Sequence, residues 1–248
     1  MKIDKLLLQT GGDIPFPPAG VTIHTPCLKE ISFIGEKNFH IGCHFLNFDK
    51  NNLSDEDKIN LADKSDFEIF MSVMSSRENL DYKTDAIMVL ALLFPQYKIK
   101  IDKDKILLQL NDSLSSINEQ NYDAFKEILV QMFCLQLAEG EEEYDPADAL
   151  ANRIAEKIKK GKMKRNKKEL KDDNLFIYDK FISILSVGLR KSKETLSQYT
   201  VYQIRDEFQR FIKKENYDLY VKEKLAGAQD LEEVKNWMDD DSSLKGNQ

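Results

Sequence analysis

All three histidines and two of the three cysteines fall within residues 24–44: His24-x-x-Cys27, then His40-x-x-Cys43 with His44 beside it. Two imidazole–thiol pairs, a dozen residues apart, have the ligand types and loop length of a small zinc site. The sequence between them argues the other way. Lys29-Glu-Ile-Ser-Phe-Ile-Gly-Glu36 places apolar residues at helical spacing, whereas small zinc sites present their ligands from tight turns. Cys27 and Cys43 also suit the interior as small apolar groups. The expectation is that His24, Cys27, His40 and Cys43 form no zinc site and that the chain takes no cofactor, with metal binding by these four as the alternative.

A second candidate is the basic run Lys157-Ile-Lys-Lys-Gly-Lys-Met-Lys-Arg-Asn-Lys-Lys168. It lacks interleaved aromatics on which bases could stack, and the acidic residues Glu139, Glu141, Glu142, Glu143 and Asp145 precede it. A solvated linker is the plain reading, and contact with an acidic protein through Lys164, Arg165, Lys167 and Lys168 is the functional one. Carboxylate pairs such as Asp172/Asp173, Asp206/Glu207 and Glu232/Glu233 lie on polar faces, where nothing raises a pKa for acid–base work. The sequence contains no phosphate loop, no dinucleotide fingerprint and no Gly-x-Ser-x-Gly elbow. No catalytic residue is assigned.

The elements that must carry these residues read as α+β, mainly α. Residues 1–25 look extended, with strands at Lys2–Gln9 and Val21–His24 around the prolines at 15, 17 and 18. Leu28–Phe48 has helical spacing weakened by Gly35 and Gly42. Helices are expected at Asp55–Ala62, at Asp66–Ser75 behind a Ser65 cap, at Thr84–Phe94 and at Tyr122–Leu137. Tyr97–Ile101 and Ile106–Leu110 form a hairpin across Asp102–Lys105. Leu175–Leu189 is another apolar helix. The C-terminal stretch divides into three short helices beginning at Val201, Tyr217 and Leu231, broken at Gly227. The organisation is an N-terminal domain (1–138), a charged linker (139–173), a helical domain (174–240) centred on Phe181, Phe208, Phe211 and Trp237, and a disordered tail (241–248).

The chain has 248 residues and a formal net charge of -7, which gives no general attraction to nucleic acid. Nucleic acid is therefore disfavoured as a partner, although the basic run keeps it as an alternative. No apolar run approaches the length needed to cross a bilayer, and the N-terminus has no signal-peptide pattern. An odd number of cysteines without such a pattern points to free thiols in a reducing cytoplasm.

Three segments carry a resemblance to proteins of bacteriophage tail-morphogenesis modules. The first is Ile14-Pro-Phe-Pro-Pro-Ala-Gly-Val-Thr-Ile-His-Thr-Pro26 with Lys29–Glu36. The second is Ala149-Leu-Ala-Asn-Arg-Ile-Ala-Glu-Lys-Ile158 with Ile182-Ser-Ile-Leu-Ser-Val-Gly-Leu189. The third is the C-terminal stretch from Thr200 to Met238. The resemblance implies a tail assembly chaperone or a baseplate component of the kind found in T4-like phages. It implies tape-measure or baseplate proteins as partners and the host bacterial cytoplasm or the virion tail as location. It brings no active site. Tyr202 and Tyr220, at the polar-rimmed C-terminal surface, are the aromatic anchors expected to meet a partner.

Overall fold

The computed structural model describes residues 1–50, 61, 63–76, 80–135, 177–228 and 234–238. They form nine α-helices and two small antiparallel sheets, an α+β fold that is mainly α.

The chain opens with helix α1 (Lys5–Thr10), where a strand was expected. The local reason is capping. Asp4 accepts the Leu6 N–H at 2.8 Å, and Gly11, at φ 67°, turns its own N–H back onto the last carbonyls. Leu6-Leu7-Leu8 also lacks the alternation of a strand. Strands β1 (Ile14–Phe16) and β2 (Val21–Ile23) pair with Ile14 opposite Ile23 and Phe16 opposite Val21. These four side chains are buried, while Pro15 and Thr22 face outward. The turn between them is a short 3-10 helix, Pro17–Ala19, so the proline cluster builds the reversal.

Leu28–Ile34 (α2) and Glu36–Leu46 (α3) are separated by Gly35 at φ 85°, a value that admits glycine readily. Helix α4 (Asp66–Ser75) starts at Ser65, whose hydroxyl and backbone exchange bonds with Glu68 as the sequence indicates. The helix expected at Asp55–Ala62 falls almost wholly outside the described residues. Helix α5 (Leu80–Leu93) packs against α3, and Gly42 makes that approach possible. A Cβ at Gly42 would stand 2.6 Å from the Asp85 carbonyl oxygen and 2.7 Å from a Val89 methyl.

The expected hairpin is present as β3 (Lys98–Ile101) and β4 (Ile106–Leu110), with Ile101 opposite Ile106. A third strand, β5 (Ser113–Ile117), joins β4 across a turn in which Asn111 takes φ 51°. Its polar sequence, Ser-Leu-Ser-Ser-Ile, hid it. Helix α6 (Glu119–Phe133) begins three residues before the expected start because Asn118 caps it, and it ends at Cys134 in the left-handed conformation. Its inner face carries Tyr122, Phe125, Ile128, Leu129, Met132 and Phe133. The Tyr122 hydroxyl donates to the Leu46 carbonyl at 2.9 Å inside the core.

After the undescribed stretch come α7 (Tyr178–Gly188), α8 (Lys193–Ser197) and α9 (Val201–Leu225). Where two short helices were expected, α9 runs unbroken for 25 residues, since nothing between Phe211 and Tyr217 breaks a helix. The third expected helix, Leu231–Met238, is described only over 234–238, which are not helical. One buried cluster runs from Ile3 through Phe39 and Phe133 to Leu185 and Ile204, so the N-terminal elements share a core with α7 and the start of α9.

Candidate interaction surface

The C-terminal helices are held on the rest of the molecule by a polar seam. Glu36, in the first turn of α3, accepts the backbone N–H groups of Ile177 and Tyr178 at 2.5 and 2.8 Å, capping α7 from a distant element. Burial alone would push the Glu36 carboxyl up. The backbone N–H donors of Ile177 and Tyr178, together with the His40 ring 3.7 Å away, outweigh it and hold the group below the usual range. His40 stacks on Tyr178 with ring centroids 5.2 Å apart, and burial raises the Tyr178 hydroxyl. Arg205 of α9 reaches the Cys134 carbonyl at the end of α6. On the opposite flank, the Leu28 N–H donates to the Tyr199 carbonyl at 2.9 Å. Gln203 donates to the Gln9 carbonyl at 2.8 Å while also closing the capping box at Thr200.

This seam leaves one side of α7 and α9 facing outward. Phe181 and Phe208 stack there at 4.1 Å between centroids, and the Phe211 ring lies directly on Gly188, where a Cβ would meet it at 2.4 Å. All three phenylalanines are only partly buried. Ile184 and Val187 on α7, and Ile212 on α9, are exposed; Val187 is 81% accessible. Exposed apolar groups on the two helices that carry a stacked aromatic pair are suited to bury against another protein.

The sequence-derived candidates separate in space. Trp237 is half-buried and does not pack on the core cluster, so it is not the centre of the C-terminal unit; the Phe181–Phe208 stack is. Helix α9 ends at Leu225, and residues 229–233 between it and Trp237 lie outside the described residues. Tyr202 packs partly into the core, and burial raises its hydroxyl, leaving only part of the ring to a partner. Tyr220 lies on the distal half of α9, 6.4 Å from Tyr217, with Lys224 donating to its hydroxyl. Lys164, Arg165, Lys167 and Lys168 lie outside the described residues.

The histidines and cysteines are occupied elsewhere. His24 sits between Asp13 at 2.8 Å and Glu30 at 3.2 Å. Cys27 occupies the N-cap of α2, and its thiol is raised by burial. Cys43 is fully buried and its thiol is held well above the usual value, which disfavours the thiolate a metal needs. Among the described residues, no group of three or more His, Cys, Asp or Glu is placed to hold a metal ion. An open groove of about 760 Å³ lies beside α4, the β3–β4 turn and the start of α6. It is lined by charges of both signs, including Glu68, Lys103, Lys105 and Glu119, and so favours no single ligand chemistry. Among the described residues no helix is long and apolar enough to cross a membrane.

What the sequence analysis missed is the exposed part of the α7–α9 face. Apolar periodicity places Ile212 on the inward face of its helix and marks neither Ile184 nor Val187 as exposed; only the packing among the described residues leaves the three exposed. No protein-family model matches the chain, and neither does any curated protein or solved structure.

Proposed function

We propose that the chain is a non-enzymatic bacteriophage tail assembly or structural protein, a tail assembly chaperone or baseplate component, that acts through protein–protein contacts. The observation that supports this reading is the apolar face on α7 and α9, exposed among the described residues, which adjoins the Phe181–Phe208 stack and is tied to α3 through the Glu36 seam. The three-segment resemblance supplies the phage context. Metal binding draws no support from thiols that burial keeps protonated.

The test is co-expression of the tagged chain with tape-measure and baseplate proteins, followed by affinity capture. Recovery of one of them, reduced by Val187→Glu on the exposed face, is the expected result. If neither class is captured, or capture is indifferent to that substitution, the proposal is wrong.

A further inference from the structure

Between α3 and the start of α5 lies a second, smaller cavity of about 310 Å³, lined by His40, Ile41, His44, Phe45, Phe48 and Tyr82. Five of these six side chains are aromatic rings, and none is a carboxylate, an ammonium or a guanidinium. The volume suits a ligand of a few heavy atoms.

Three of the six are anchored from outside the cavity. Phe45 packs on the buried Phe70 at 5.1 Å between centroids, and His40 stacks on Tyr178 at 5.2 Å. The Phe48 carbonyl accepts from Lys126, whose Nζ is held by Asp66 at 2.6 Å. Tyr82 is half-exposed. The Phe45 and Tyr82 rings lie 6.4 Å apart between centroids and are tilted by 38°, so they form a shallow V. Both line the cavity. A compact cation seated against the pair lies within about 6 Å of each centroid, the range over which a ring face attracts positive charge.

Charge selects the same class of ligand. The lining has no lysine or arginine to hold an anion. Partial burial and the neighbouring His40 hold the His44 imidazole below its ordinary value, so at neutral pH it is uncharged and repels no cation. His40 has the Glu36 carboxylate 3.7 Å from its Nε2. Around Tyr82 on α5, Asp81 and Asp85 outnumber Lys83, in a chain whose net charge is -7. A bare ammonium would give up water bonds that no lining carboxylate replaces. A cation whose charge is covered by methyl groups has no such bonds to lose.

We propose that this cavity binds the trimethylammonium group of a small quaternary cation, choline being the simplest. Phe45, Phe48 and Tyr82 supply the ring faces, and Ile41 meets the methyl groups. The inference rests on neither the α7–α9 face nor the phage context.

The experiment is titration of the full chain with choline chloride against a sodium chloride blank of equal ionic strength, followed by calorimetry and by the NMR signals of Tyr82. Saturable binding is expected, at least about fivefold tighter than that of dimethylbutanol, which has the same shape without the charge. Tyr82→Leu should weaken choline by at least about fivefold and leave dimethylbutanol nearly unchanged, while Tyr82→Phe should retain both. Phe48→Leu repeats the test should Tyr82→Leu fail to fold. Vesicles of phosphatidylcholine, compared with phosphatidylglycerol, separate two sources of the same group. Retention on the first alone assigns the site to a lipid head, and choline binding without retention assigns it to a free solute.

Three results would overturn the proposal: no saturable binding of choline, equal affinity for choline and dimethylbutanol, or a Tyr82→Leu variant that binds choline as wild type does. Equal affinity would leave the site an apolar cavity in which the rings act only through their area.

Discussion

Glu36 and Tyr178 are 142 residues apart, yet the carboxylate of the first accepts the backbone N–H of the second at 2.8 Å and so caps α7. His40, one turn along α3 from Glu36, stacks on the same tyrosine. The outward face of α7 is therefore aimed by an acid in the opposite half of the chain.

Replacing Glu36 by Gln keeps its size but weakens the cap, and should cost about 1–2 kcal/mol, as measured by chemical denaturation. The pH dependence has a definite sign. A carboxyl held below its ordinary value stabilises the fold above the unfolded value, near 4.3, and that stability is lost as pH falls through the lower folded value. Wild type should therefore lose part of its stability as pH falls below about 4, and the Gln variant should lose less.

Gly42→Ala should destabilise by about 1–3 kcal/mol, because the new methyl meets the backbone of α5, which cannot rotate aside. Lowered thermal midpoint with unchanged helical content is the expected reading. An unaffected midpoint would mean that α3 and α5 can separate without loss.

Tyr122→Phe removes the buried donor to the Leu46 carbonyl and leaves that oxygen without its partner. The expected cost is about 1–2 kcal/mol in denaturant titration.

Trp237→Ala should change stability by less than about 1 kcal/mol, since the side chain does not pack on the buried cluster. Phe208→Ala, which breaks the stack with Phe181, should cost about 2 kcal/mol, below the range for a fully buried ring. The reverse order of these two effects would restore Trp237 to the centre of the C-terminal unit.

Charge reversal at Lys164, Arg165, Lys167 and Lys168 should slow association with an acidic partner at low salt. It should matter little once screening falls below about 8 Å. Stopped-flow association at several ionic strengths decides it, and an unchanged rate throughout would leave the stretch a linker.

Elements with strong local signals were legible in the sequence. Ser65 and Glu68 announce α4, and the alternation on either side of Asp102–Lys105 announces the β3–β4 hairpin. Elements set by local backbone conformation were not. Strand β5 has a polar sequence and depends on Asn111 adopting a positive φ, and α1 depends on Asp4 and Gly11 overriding a run that looked extended. The interaction face was half legible. The periodicity marked Phe181, Phe208 and Phe211 as inward-facing, but exposure at Val187 and Ile212 depends on which neighbours arrive, and those come from α1, α6 and the Glu36 seam.

The placement of that cap also sets a schedule during synthesis. At about 5–20 residues per second, some 7–30 s separate the emergence of Glu36 from that of its partner Ile177. For that interval the growing chain presents α2 and α3 without the helices that later cover His40 and Leu28. A nascent polypeptide of this protein therefore passes through a stage in which the Glu36 carboxylate lacks the two N–H donors it holds in the finished fold. Truncation after α6 would make that stage permanent.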